Sequence, residues 1–216
     1  MSLYLLPGLG FDHRIYQKID WGHHALQFLD WIEPLKHEAI SDYAERMAEK
    51  IKEEKNVILV GHSFGGMLAQ EIAAIRPVDR IILLNSIQSR AEMPLFFKMV
   101  KPFGLYHFFT QSGTIRSLPL WGKSHGYDSP EEVALFISMV GKQSNRYLQW
   151  ALKTLSAWPG VEIPTTTSLY QIHGRKDKTF PFSSLKEPDA VVDDGGHFMV
   201  FRQPEKVGRM ILDAIH

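Results

Sequence analysis

At 216 residues, 44% hydrophobic and 22% charged, the chain has the length and balance of one globular domain with a sizeable core. Its 24 lysines and arginines match 24 aspartates and glutamates, which leaves no electrostatic case for nucleic acid or an anionic membrane as partner. The absence of cysteine excludes disulfides, thiolate nucleophiles and cysteine-based metal sites, and fits a reducing, cytoplasmic setting.

The amino end, Met1 to Gly8, lacks the basic and long apolar regions of a signal peptide, and no apolar run reaches the length of a membrane span. Leu3-Tyr4-Leu5-Leu6 reads as a buried strand ended by Pro7-Gly8-Leu9-Gly10. A short helix over about His13 to Ile19 and a second strand over Ala25 to Trp31 follow, with a break at Glu33-Pro34. Ser41 is the N-cap candidate of a helix with acidic first-turn residues that runs to about Glu54.

The next stretch organises the rest. Val57-Ile58-Leu59-Val60 is an unbroken apolar run suited to a strand covered on both faces. Met67, Leu68, Ile72 and Ile75 are spaced for a helix packed on that strand. Between them stands Gly61-His62-Ser63-Phe64-Gly65, a Gly-x-Ser-x-Gly pentapeptide in strand–turn–helix context, the pattern of a nucleophile elbow. A strand that turns at once into a helix strains its central residue and crowds its neighbours, and the two glycines remove the Cβ atoms that would clash. Ser63 is then held at the tip, and the backbone N–H of Phe64 opens the helix, free to face a developing oxyanion.

Arg80 to Asn85 is another apolar strand. Strands alternating with helices predict a parallel sheet covered on both faces. From about Ile87 to Gly160 the alternation stops. This region is rich in aromatics from Phe96 to Phe109 and then carries two helical patterns, one starting at Ser129-Pro130-Glu131-Glu132 and one over about Lys142 to Ala157. Such an insertion reads as a helical cap over 87–160, with the core formed by 1–86 and 161–216. Beyond it come a strand over Thr165 to Ile172, a short strand Ala190-Val191-Val192 and a last helix from about Pro204.

A serine hydroxyl becomes a nucleophile when a base takes its proton, and the base needs an orienting acid. Asp177 lies just beyond the carboxyl end of one late strand, and His197 lies on the Gly195-Gly196 loop after the next. Asp193 and Asp194 are the rival acids by proximity, while Asn85 and Ser86 put no carboxylate at the end of the earlier strand. The competing reading of Asp177 is a loop carboxylate paired with Arg175 or Lys176. His62 reads as a packed neighbour of the nucleophile. His23-His24 has no companion ligands to make a metal site.

With these residues in order, the chain resembles the α/β-hydrolase-fold serine hydrolases of the compact, capped kind. The resemblance implies a mostly parallel sheet of about six strands flanked by helices, with a helical cap. It also implies a Ser63–His197–Asp177 triad and an oxyanion hole built from the N–H groups of Leu9 and Phe64, with no cofactor and no metal. Three departures accompany it: the family's usual first two strands are missing, proline precedes Gly8 where histidine is usual, and the connection between the last two strands is short. The implied activity is hydrolysis of a small carboxylic ester or thioester with an apolar portion, through an acyl-enzyme. The same residues would serve a C–C bond hydrolase or a lyase, and the fold alone would serve a non-catalytic small-ligand-binding protein. Serine at position 63 excludes the aspartate nucleophile of dehalogenases and epoxide hydrolases.

Overall fold

The structure, a computed structural model, describes residues 2–53 and 55–215; Met1, Glu54 and His216 lie outside the described residues. Six strands form one sheet in the order β2-β1-β3-β4-β5-β6, every pair parallel: β1 (Ser2–Leu6), β2 (Ala25–Phe28), β3 (Val57–His62), β4 (Arg80–Leu84), β5 (Ser168–Gly174) and β6 (Ala190–Val192). The apolar runs of the central strands are read by both faces. Leu3, Leu5, Ile58, Val60, Ile82 and Leu84 join one core cluster, and the alternate residues Tyr4, Leu6, Leu59, Ile81 and Leu83 join the other. That is the period of two expected of a pleated strand covered on both sides.

The second face packs against α1 (Ile40–Ala48) and α2 (Phe64–Ile75). The first is covered by α8 (Pro204–Ile215), whose Val207, Ile211, Ala214 and Ile215 are buried at helical spacing. Residues 87–160 contain α3 (Leu95–Val100), α4 (Gln111–Trp121), α5 (Pro130–Val140) and α6 (Asn145–Ala157) and, among the described residues, no strand. Buried hydrogen bonds tie this helical segment to the sheet body. Trp158 Nε1 donates to Glu71 of α2 at 2.6 Å, and Gln70 Nε2 donates to the Ile87 carbonyl at 2.9 Å. The Glu92 carboxylate accepts the N–H groups of Gln88 and Lys186.

Several boundaries differ from the sequence reading, each for a local reason. The stretch after Asp12 is a single 3-10 turn, His13–Tyr16, capped by the Asp12 side chain. The second strand stops at Phe28, after which Asp30 receives the His13 N–H and ring. Helix α1 is preceded by Ala39 with no side-chain cap, so Ser41 lies inside it. It ends at Ala48, where the Arg76 guanidinium donates to the carbonyls of Ala48, Ile51 and Glu53. Lys142 and Gln143 close the turn after α5, and α6 begins only after Ser144, whose hydroxyl caps Tyr147 N–H at 3.0 Å. Thr165 to Thr167 form a turn pinned by Thr167 Oγ1 on the Val78 carbonyl, and β5 starts at Ser168. A four-residue helix, α7 (Met199–Arg202), follows the histidine loop. Ser129 caps α5 and builds a full capping box with Glu132.

Candidate active site

Ser63 sits where β3 becomes α2, with φ 53° and ψ −121°, a strained turn held by its neighbours. Its N–H donates to the Leu84 carbonyl at 2.9 Å, and its own carbonyl accepts the Ser86 hydroxyl at 2.6 Å. Gly65 allows this crowding: a Cβ there would lie 2.4 Å from the Pro7 carbonyl oxygen and 2.5 Å from that of Leu6. The elbow therefore presses directly on the end of β1 and the loop that carries Leu9. That loop is closed by Phe11 N–H on the Gly8 carbonyl, which also accepts Trp31 Nε1 at 3.0 Å. The Phe64 N–H belongs to the first turn of α2, where the helix supplies no internal acceptor. Leu9 and Ser63 line one cavity.

The acid and histidine loops continue the β5–β6 ladder past the sheet. Arg175 N–H donates to the Val192 carbonyl, Lys176 N–H to Gly195, and Gly195 N–H to Val192. Gly174 lies so close that a Cβ would stand 2.4 Å from the Gly195 carbonyl oxygen. Asp177 and His197 meet across this zipper. Asp177 Oδ2 accepts His197 Nδ1–H at 2.8 Å, and His197 Nε2 is 3.0 Å from Ser63 Oγ. With Nδ1 donating to the carboxylate, the neutral ring turns its Nε2 lone pair to the serine hydroxyl. The other Asp177 oxygen accepts the N–H groups of Thr179 and Phe180 at 2.7 and 3.1 Å. Arg175 pairs with Asp193 and Lys206 with Asp194, all at the surface, which leaves Asp177 to the histidine.

Burial would raise the Asp177 carboxyl, but electrostatic attraction and a hydrogen bond from His197, the nearby His173 and the Phe180 N–H together hold it below its ordinary value. His173 donates Nε2–H to the Phe180 carbonyl at 2.9 Å and is kept neutral, its pKa lowered chiefly by burial. His62 is fully buried, and desolvation above all lowers its pKa from 6.5 to about 3. Its Nε2–H donates to the His197 carbonyl at 2.8 Å.

Asn85 is a participant that the sequence reading did not assign. It is fully buried with φ 46° at the carboxyl end of β4. Its Nδ2 donates to the Gly196 and His197 carbonyls at 2.7 and 3.1 Å, and its Oδ1 accepts the Gly174 N–H at 2.8 Å. One amide thus joins the start of the acid loop to the histidine loop. The available signal was a polar residue ending an apolar strand beside the elbow strand.

Ser63 and His197 open on a cavity of about 320 Å³, walled by Leu9, Phe11 and, from the helical segment, Phe96, Phe97, Phe109, Trp121, Tyr127 and Leu155; Thr179 and His125 are further polar groups on its wall. This is the size and character of a small-ligand pocket. A larger cleft of about 620 Å³, between Leu35–Glu38 and the outer side of α6, contains none of the three residues. Among the described residues no three His, Asp or Glu side chains converge to hold a metal ion, and no helix is long and apolar enough to cross a membrane.

Comparison with curated proteins finds no sequence match. Solved structures match over the whole length: an esterase from Exiguobacterium antarcticum (TM-score 0.78, 16% identity, covering 100% of this chain and 91% of that one). A Bacillus megaterium epoxide hydrolase, solved with an inhibitor, superposes with TM-score 0.75 at 14% identity, covering 98% and 92%. MenH from S. aureus gives 0.73 at 16%, covering 99% and 92%. At such identities these likenesses establish the fold. The profile of the alpha/beta hydrolase family matches residues 3–209, and the chain belongs to that family.

Proposed function

We propose that the protein is a serine hydrolase cleaving a small carboxylic ester or thioester with an apolar portion. The observation that carries this reading is the unbroken relay from Asp177 through His197 to Ser63 at 2.8 and 3.0 Å, opening on an apolar cavity. Ser63 Oγ attacks the carbonyl carbon while His197 Nε2 takes its proton. The carbonyl oxygen becomes an oxyanion facing the N–H groups of Phe64 and Leu9. Collapse breaks the bond to the leaving group, which receives the proton from His197, and leaves an acyl group on Ser63. Water, deprotonated by the same ring, then releases the acid and restores the serine. Asp177 keeps the ring in the productive tautomer and stabilises the imidazolium. The walls contributed by Phe96, Phe97, Phe109 and Trp121 favour an aliphatic or aromatic group over a charged one.

Labelling with a fluorophosphonate probe, followed by a p-nitrophenyl ester chain-length series, tests the reading. Wild type should label and turn over. Ser63→Ala and His197→Ala should do neither, with turnover reduced by about 10³-fold or more. A folded wild type that neither labels nor hydrolyses any ester would overturn the proposal and leave a ligand-binding role for the cavity.

A further inference from the structure

The charge balance that argues against an anionic partner for the whole chain does not hold locally. Between Met93 and Tyr127 the sequence carries Lys98, Lys101, Arg116 and Lys123 and not one of the chain's 24 aspartates and glutamates. Among the described residues none of these four cations is paired with a carboxylate. The same stretch holds seven of the eleven large apolar side chains that are exposed among the described residues. Leu120 is 89% exposed, Phe108 80%, Leu95 73%, Phe96 68% and Phe103 65%. Isolated exposed apolar residues are ordinary, but so many in one stretch, Phe96 among them on the cavity wall, point to a contact surface.

We propose that this exposed, basic and apolar stretch of the helical segment docks peripherally on an anionic phospholipid surface. Three observations favour lipid over protein as the occupant. Lysines interleave with the apolar side chains, Lys98 between Phe97 and Met99 and Lys101 one residue before Pro102-Phe103. That pattern lets rings enter the interface while ammonium groups remain among headgroups. A second copy of the chain docked through the same stretch would set lysines and arginine against their own kind with no carboxylate in the stretch to offset them. The stretch also adjoins the cavity, since its Phe96, Phe97 and Phe109 belong to the cavity wall that includes Ser63. An amphiphilic ligand would then pass from the lipid to the site without crossing water. With no helix long enough to span a bilayer among the described residues, the contact lies on the membrane, with the apolar groups entering by about 5–10 Å.

Flotation with large unilamellar vesicles tests this. Wild type should float with phosphatidylcholine vesicles containing phosphatidylglycerol, bind pure phosphatidylcholine roughly tenfold or more weakly, and lose affinity as salt is raised. The variants Lys98→Glu/Lys101→Glu and Phe103→Ser/Phe108→Ser should each bind anionic vesicles at least about tenfold less, with unchanged circular-dichroism melting. Ser63→Ala should bind as wild type does, which separates docking from hydrolysis. Failure of wild type to float with anionic vesicles would overturn the proposal, as would two variants that float as well as wild type. A wild-type dimer in sedimentation that Phe103→Ser/Phe108→Ser dissociates, with no vesicle binding, would overturn it in favour of self-association.

Discussion

At the scale of single residues, the geometry of the site depends on where two loops are held, and Asn85 holds both. Its three hydrogen bonds join Gly174, at the start of the acid loop, to the carbonyls of Gly196 and His197. Asn85→Ala removes both donors and the acceptor while leaving the buried partners in place, so about 2–4 kcal/mol of stability should be lost. If the amide sets the position of His197, kcat for the proposed ester hydrolysis should fall by about tenfold or more with KM nearly unchanged, because the apolar walls proposed to hold the substrate are elsewhere. Equilibrium unfolding and ester kinetics on the same preparation check this. An equal loss of stability with wild-type kcat would reduce Asn85 to a structural anchor. Ser63, Asp177 and His197 could be singled out as candidates in the sequence because each lies on a short motif at the carboxyl end of a predicted strand, and the structure brings the three side chains together. Asn85 could not, because its role exists only once β4, β5 and the histidine loop are brought together.

At the scale of elements, legibility follows how locally each element is determined. The elbow strand and helix, the short β6 and the final helix from Pro204 could be read from apolar runs and their punctuation, since neighbours along the chain decide them. The end of α1 could not. It is set by Arg76, which reaches back from the far end of α2 to collect three carbonyls. Helices α3 and α4 were hidden by aromatics without a clear period and by Pro102, Gly104 and Pro119. Two substitutions test the local logic. Ser129→Ala deletes one half of a capping box, at a cost of about 1 kcal/mol, and should lower Tm by about 2–4 °C in a scanning melt. Gly65→Ala is a different case. Its Cβ would have to enter space held by the Leu6 and Pro7 carbonyls, backbone that has no rotamer to move. The elbow and the Leu9 loop must separate, so ester turnover should fall by about 10²-fold or more even in molecules that remain folded. Wild-type turnover in that variant would mean that the close approach of the elbow to the Leu9 loop is not needed for the proposed reaction.

At the scale of the whole molecule, the carboxyl edge of the sheet concentrates buried titratable groups whose preferred charge states fix how stability depends on pH. His62 and His173 are both buried neutral, with pKa values lowered chiefly by desolvation, His62 to about 3. A histidine whose folded pKa lies below its unfolded value takes up its proton more readily in the unfolded chain. Its contribution to stability is therefore complete above about pH 6.5 and is lost as pH falls from there toward the folded pKa. Asp177 adds to this with the same sign in a lower window. Its carboxyl is held below the ordinary value, so its contribution is present above that value and disappears as pH falls through the folded pKa. The molecule should accordingly lose stability steadily from about pH 6.5 downward, by a few kcal/mol before the carboxylates titrate. His62→Gln keeps an N–H for the His197 carbonyl and removes the titration. That variant should begin with equal or lower stability at neutral pH and show a shallower fall between pH 6.5 and 4. Chemical denaturation at several pH values measures both slopes. Parallel curves for the two proteins would mean that His62 does not carry the acid sensitivity and that His173 and Asp177 do.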